Sequence, residues 1–495
     1  MKYIFKNILI LILFLHLQPT AFTQSAANFP RLEPDPKALE FFQRGTENNG
    51  FSWTDLAEIS LWASGANPSA YLGQIRSASE AIRRSPEFPA TDRERAEFIL
   101  NYMHRNLLRS YSLTQSGINT LLSTGRFNCV SSAVLYTILC KSVELEVSGV
   151  MTRNHAFAIL HIGGENIDVE TTNRFGFDPG NRREFHDEFG RLTGFTYVPA
   201  QNYRDRQTIT PIELISLIIS NQISELERRN RFTESVPLAI DRSALLTGSG
   251  PRSNTHVYTS TSIFGNPRQD LMSRLYNYGA FLLNSNREED CLRWLAIAAP
   301  LYPDEERWPE LVQAAVNNRV ARFVRSNNLT EARIFLEAQR TAISPVNYAQ
   351  LDTMLVDTEL LNNANRIRNA ADGDSVITAI EEARVSGRIG ERRAVELLTF
   401  AVQRTATIIS TCRDWLSAIN YIENAIDRFG SNRELEQSLR NYRANRAADF
   451  HNRFATAWNR RNFEEARQIL DEGLAEFPND RQLLANREIV NRHQP

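Results

Sequence analysis

Residues 126–140 read R-F-N-C-V-S-S-A-V-L-Y-T-I-L-C, and residues 147–172 read V-S-G-V-M-T-R-N-H-A-F-A-I-L-H-I-G-G-E-N-I-D-V-E-T-T. In the first stretch Asn128-Cys129 stands before an apolar run, 130–140, long enough for about three helical turns. The second is β-like from Val147 and reaches His155 at the head of an apolar segment, 156–162. It turns at Gly163-Gly164 and returns over 167–172 with the alternation of a half-buried strand.

This order brings chemistry with it. A cysteine in the first turn of a helix sits beside unpaired backbone N–H groups and the positive end of the helix dipole. Both favour thiolate, and the same N–H groups can hold a developing oxyanion. Asn128 and Ser131 are both suited to the cap. His155, opening a strand, can face the thiol as general base, and a carboxylate on the neighbouring strand would fix its tautomer. Asp168 and Glu170 share one strand face. A two-residue turn at Gly163-Gly164 pairs Ile162 with Glu165 and places His155 opposite Thr172. Glu170 then lies on the diagonal, roughly 7–8 Å away between α-carbons. Asp168 falls one residue pair further off, so Glu170 is the expected third member and Asp168 the alternative that a different turn would select.

At these residues the segment resembles the transglutaminase-like superfamily, the papain-like Cys-His-Asp group that includes bacterial proteases and amidases. The resemblance rests on Cys129 at a helix start, His155-Ala156 opening a strand, and Val169-Glu170-Thr171-Thr172 after a glycine turn. It covers about 92–205. Glu170 stands where that family usually has Asp, and Phe157 where many members have Trp. The resemblance implies a nucleophilic Cys129, a base His155 and an orienting Glu170 or Asp168.

The chain has 495 residues, 42% of them hydrophobic, which allows two or three domains with real cores. A formal net charge of −2 argues against a large nucleic-acid footprint. Residues 1–24 read as a secretory signal peptide: Lys2 and Lys6, an apolar core from Ile8 to Leu17, then small residues near a cleavage site. That core is short for a membrane span, which needs about 20 residues. An exported protein, periplasmic or extracellular, is expected, with no integral membrane segment after signal cleavage. The four cysteines form no disulfide framework. Cys129 and Cys140 fall on one helix about 16 Å apart in rise, beyond bridging distance. Cys291 and Cys412 belong to repeats that are not neighbours. No Cys or His pair has zinc-ligand spacing, so no metal and no cofactor is expected.

Around the central stretch, 37–44, 53–63 and 93–108 carry helical periodicity, with Ser52 and Asp55 forming a capping-box variant. His104 lies on the third helix and reads as a surface or packing residue. Residues 173–180 form a turn-rich segment that leaves the strand of Glu170, so it is placed to wall a substrate cleft. It leads to His186, a weaker functional candidate read as a loop residue.

The remainder repeats a register: a bulky residue, a small one three later, apolar or small residues at seven and eleven, an aromatic at fourteen. Phe463, Ala466, Leu470, Leu474 and Phe477 show it, and so do Trp415, Ala418, Ile422, Ile426 and Phe429. Cys291, Leu295 and Tyr302 fit an earlier unit; Leu329, Ala332 and Leu336 the next; Val376, Ala379 and Ala383 another. Phe232, Ser235 and Ala239 begin a degenerate first one. The pattern looks like the tetratricopeptide repeat family, with wider and irregular spacing. Such helix pairs bury a continuous core only by stacking.

The expected fold is an α+β papain-like or transglutaminase-like domain followed by an all-α tetratricopeptide-type solenoid. The expected divisions are a signal peptide (1–24), a helical extension (25–90), the transglutaminase-like domain (91–208), a degenerate repeat and linker (209–265), and the repeats (266–495). The expected function is an exported cysteine-dependent hydrolase or acyltransferase acting on peptide or protein amide bonds through a thioester, with the array holding a substrate or partner. The competing class is a non-catalytic interaction protein whose first domain is a degenerate binding module. Nucleic acid is not an expected partner, and oligomeric state is left open.

Overall fold

A computed structural model describes residues 29–153, 155–180, 185, 191, 206–251 and 266–492. The expected signal peptide, His186 and residues 252–265 of the expected repeat-and-linker segment lie outside them. The chain is mostly helical with a small sheet region, and its helical part is compatible with an all-α solenoid. Among the described residues, no helix is long and apolar enough to cross a membrane. Two compact units divide it, Met1–Ala315 and Val316–Pro495.

In the first unit, α1 (Pro36–Glu47) starts behind Asp35, whose carboxylate accepts from Lys37 N. Next come α2 (Trp53–Ala63), α3 (Leu72–Arg83) and α4 (Asp92–Asn106). Ser52 and Asp55 complete a reciprocal capping box at the head of α2, as their spacing requires. Two short strands, β1 (Ser110–Tyr111) and β2 (Arg126–Phe127), flank α5 (Ile118–Thr124) and pair in parallel. Gly125 ends α5 at φ 73°, the left-handed conformation that closes helices.

The apolar run becomes α6 (Cys129–Ser142), in which every residue from Val130 to Cys140 is buried. A helix apolar on all sides must be enclosed on all sides. Here α2, α3, α4 and the sheet surround it, together with α7 (Pro211–Arg228). The sheet has strand order β5-β4-β3-β6, from β3 (Val147–Met151), β4 (Ala156–Ile162), β5 (Glu165–Val169) and β6 (Gln207–Ile209), all antiparallel. Gly163 and Gly164 both have positive φ, as a two-residue hairpin turn with native twist demands. Ile162 therefore pairs with Glu165, and the register carries through to Ala158 opposite Val169.

The first unit continues with α8 (Phe232–Thr247), α9 (Pro267–Asn284) and α10 (Glu288–Leu301). Of these, α8 and α10 carry the repeat register, yet they are tied to the start of the chain. Asp241 on α8 accepts from Arg31 and from Asp35 N, both at 2.7 Å, and the Tyr302 hydroxyl donates to Leu32 O at 2.6 Å. The compact division accordingly falls inside α11 (Trp308–Arg325), beyond the repeat register's own start.

The second unit is helical throughout its described residues: α12 (Leu329–Ala338), α13 (Pro345–Asn365), α14 (Ala370–Val385), α15 (Glu391–Ser410), α16 (Trp415–Phe429), α17 (Arg433–Asn459), α18 (Phe463–Glu476) and α19 (Arg481–Arg492). Each of these helices packs on the next in sequence, and α15 and α17 also touch, so neighbours share cores instead of closing on one centre. Small residues of the register lie inside the shared cores: Ala332, Ala418 and Ala466 are fully buried. Gly373 has no room for a side chain, since a β-carbon there would come 2.2 Å from Thr405 Oγ1. Ile422, fully buried, belongs to the core shared by α14, α15 and α16. Ile422→Ala should lower stability by about 2–5 kcal/mol in urea denaturation of the full chain. Val385→Ala, at an exposed position, should stay within about 0.5 kcal/mol.

Candidate active site

Asn128 is held in an extended conformation ahead of α6, and its side chain accepts from Ser131 N at 3.0 Å. Ser131 Oγ returns the bond to Asn128 N, also at 3.0 Å, so the two cap candidates act together as a capping box. The Asn128 amide further donates to Ser116 Oγ at 2.9 Å and Leu113 O at 3.1 Å. The start of the helix is thus locked from three directions, and Cys129, half-buried, is its first residue.

His155 precedes β4 in a tight turn in which Thr152 N donates to His155 O at 2.9 Å. Its Nε2 lies 2.5 Å from Glu170 Oε2, and Cys129 is close enough to help the ring keep its proton. With Nε2 given to the carboxylate, Nδ1 is the ring nitrogen left for the thiol. Burial opposes charge on this imidazole, but Glu170 and Cys129 together outweigh it, and the ring holds its proton well above its ordinary range.

Glu170 is 1% exposed, so its charge must be compensated inside the protein. Oε2 meets His155, while Oε1 accepts from the Thr172 hydroxyl at 2.7 Å and Thr172 N at 3.3 Å. Within the 173–180 segment that the sequence suggested as a cleft wall, residues 173–178 fold back along β5. Glu170 N donates to Gly176 O at 2.7 Å, and Val169 bridges Phe177. A β-carbon on Gly176 would come 1.9 Å from Glu170 O, so this return is open only to glycine.

Asp168 takes another path. Both of its oxygens are bound by the Arg206 guanidinium, which also lies over the Phe157 ring at 5.2 Å. Phe157 in turn stacks on His155, with ring centres 6.1 Å apart. The two carboxylates considered for His155 are therefore divided: Glu170 meets it, and Asp168 holds the arginine behind its stacking partner.

Two further side chains come to the site. His104 is half-buried, and its Nε2 lies 3.1 Å from Thr171 O, next to Glu170. Burial pushes its pKa down to about 4, against the opposing pull of that backbone bond, so the ring is neutral and Nε2–H donates. A sequence signal existed for it: His104 falls four residues after buried Leu100, on the inward face of α4. Tyr111 is half-buried, and burial together with the charges on Cys129 and Glu170 raises its hydroxyl pKa. A two-residue strand offers no periodicity, so no sequence signal could have found it.

All four cysteines are unbridged. Cys140 and Cys291 are buried; burial raises the Cys140 thiol well above its ordinary value and pushes Cys291 up to about 12. Cys412 is exposed. Among the described residues, no group of His, Cys, Asp and Glu is arranged to hold a metal ion.

The two site histidines affect stability in separate pH windows. His155 has a raised folded pKa, so its contribution is complete below its ordinary value of 6.5 and is lost as pH climbs through the elevated one. His104 is depressed, so the folded state loses stability as pH falls from 6.5 towards about 4, by about 3 kcal/mol at most. His104→Gln, which retains an N–H donor for Thr171 O, should flatten that acid-side loss relative to the parent. Urea midpoints measured at intervals from pH 4 to 7 check this; an unchanged slope would mean His104 titrates normally in the fold.

No family model matches the chain and no curated protein matches it, so the chemistry of the site is argued from its own geometry.

Proposed function

We propose that the chain is a cysteine-dependent hydrolase or acyltransferase that acts on an amide of a peptide or protein through a thioester. The single observation that supports this most directly is the contact series Cys129–His155–Glu170, built at a helix start and held by a buried carboxylate. Thiol, base and orienting acid stand in the order that nucleophilic acyl transfer needs.

In this reading the Cys129 proton rests on His155 before attack, and the thiolate sulfur of that ion pair attacks the carbonyl carbon. Glu170 keeps Nε2 engaged, so the ring meets the sulfur through Nδ1 and stays charged beside the buried carboxylate. The cap uses Ser131 N, and Ser132 N donates to Asn128 O, which leaves the N–H groups of Cys129 and Val130 nearest the developing oxyanion. The tetrahedral intermediate collapses, and His155 gives its proton to the leaving amine. Water or a second amine then attacks the thioester, with His155 again as base. The α+β unit is taken as papain-like or transglutaminase-like, and the stacked helices as a tetratricopeptide-like array that holds a substrate or partner. Residues 1–24 are taken as an export signal.

Alkylation tests the nucleophile. In a Cys412→Ser background, which removes the exposed competitor, iodoacetamide at pH 6 should modify Cys129 well ahead of Cys140 and Cys291. His155→Ala should slow that reaction. Equal, sluggish labelling of the three remaining thiols would favour the non-catalytic reading.

The carboxylates separate by substitution. Glu170→Gln should cost on the order of a hundredfold in rate, about 3 kcal/mol of barrier, in variants shown to be folded. Asp168→Asn, which loosens Arg206 and only indirectly Phe157, should cost much less. If Asp168→Asn cripples the protein and Glu170→Gln is mild, Glu170 is not the orienting group.

A further inference from the structure

The chain around the candidate nucleophile has an uneven charge pattern. Between Glu97 and Glu144 there is no Asp or Glu, and none between Glu146 and Glu165. Glu144 follows the far end of α6, about 20 Å of helix rise from Cys129, and Glu165 lies at the distal turn of the hairpin. Among the described residues, Glu170 is engaged with His155, Asp168 with Arg206 and Asp178 with Arg93.

Against this stand exposed arginines. Arg126 begins β2 three residues before Cys129, and among the described residues its guanidinium donates only to Ser112 Oγ, at 3.2 Å. Arg109, just before β1, lies over Gly125, just before β2, its Cγ 2.5 Å from where a β-carbon on that glycine would stand. Arg109 N donates to Gly125 O at 2.8 Å. One residue pair further along this ribbon is Tyr111, whose hydroxyl feels the charges of Cys129 and Glu170. Arg153 stands at the exposed corner of the Thr152–His155 turn. Arg109, Arg126 and Arg153 make no ion pair among the described residues, whereas Arg93 and Arg206 are each paired with a carboxylate. Exposed cations held near one site without internal anions remain available to an anion from outside.

We propose that Arg109, Arg126 and Arg153 form a cationic rim that selects an acidic peptide, one with carboxylate side chains two or three residues from the reacting carbonyl. The inference rests on Cys129 being the nucleophile and names the substrate class of that same site. An extended peptide advances about 3.3–3.6 Å per residue, so a side chain two positions from the carbonyl is displaced about 7 Å, within reach of a long arginine beside the nucleophile. A peptide is favoured over a nucleic acid because the grouped chemistry is that of acyl transfer, and because the chain as a whole carries a formal charge of −2.

Three peptidyl acyloxymethyl ketones, alike except for Glu, Gln or Lys at the second and third positions from the reactive carbonyl, test this on the full chain carrying Cys412→Ser. Iodoacetamide serves as the uncharged baseline. A fluorescein-labelled peptide with two Glu residues, and its Gln counterpart, are titrated onto Cys129→Ala by anisotropy. The Glu ketone is expected to label Cys129 on the order of tenfold faster than the Gln one at low salt, with Lys slowest. The advantage should shrink in 0.5 M salt, at a Debye length of only about 4 Å. It should also vanish in folded Arg126→Glu/Arg153→Glu, while Arg392→Glu, a charge reversal in the second unit, retains it.

If iodoacetamide selects Cys129 with His155 dependence but Glu and Gln ketones react alike, the acidic preference is overturned and the nucleophile stands. If Cys129 is not selectively reactive, yet the Glu peptide binds Cys129→Ala and loses affinity with Arg126→Glu/Arg153→Glu, the acidic-peptide site stands and the chemistry falls. Equal binding of the Glu and Gln peptides there overturns the rim. Displacement of the Glu peptide by an oligonucleotide of equal charge at equal concentration overturns peptide selection in favour of a general polyanion surface.

Discussion

The first unit depends on enclosing one helix. From Val130 to Cys140 every side chain of α6 is buried, so no face of it can be left to water. At about 25 cal/mol per Å² of apolar surface, exposing even one side of such a helix would cost several kcal/mol. Helices α2, α3, α4 and α7 and the inner face of the sheet are arranged around that requirement. The same enclosure fixes the start of the helix, because Asn128 is tied both into the capping box and to Ser116 and Leu113. Cys129 is therefore presented from a rigid element while remaining half-exposed itself.

The site beside it shows how partners, and not residue type, decide what a carboxylate does. Asp168 and Glu170 are two residues apart and face the same way. Glu170 is buried, and its two oxygens are divided between an imidazole and the groups of Thr172. Asp168 is held at both oxygens by a guanidinium that comes from 38 residues further along the chain. Leaving either carboxylate buried without its partner would cost several kcal/mol. The assignment is thus fixed by desolvation as much as by distance. Gly176 contributes through absence: only a missing β-carbon lets the return segment close on Glu170.

In the second unit the same physics works at lower stakes. Neighbouring helices share apolar cores, one gathered around Ile380 and Ile422 and another around Phe454 and Leu470. Small residues inside those cores let the helices meet. Surface arginine–carboxylate pairs are numerous, but exposed pairs contribute about 0–1 kcal/mol each, so the buried stripes carry the stability. Helices α8 and α10 carry that register into the first unit, where Asp241 and Tyr302 fasten the lead-in from Arg31 to Asp35.

By itself the sequence determined the features set by local chemistry. The apolar run after Cys129 required a buried helix, and Asn128 with Ser131 required a cap. Gly163-Gly164 required a two-residue turn, and that turn set the register and so the nearness of Glu170 to His155. The small residues of the helical register marked where helices meet. Tertiary structure alone decided what depends on distant partners. Asp168 went to Arg206 because a guanidinium far along the chain arrives at its strand. Residues 173–178 turn back on β5 because Gly176 admits the Glu170 backbone. His104 and Tyr111 joined the site because burial, which no single stretch of sequence specifies, brings α4 and the β1–β2 ribbon beside the strand of Glu170. Local pattern fixes which groups share a face; only packing fixes which charge each of them meets.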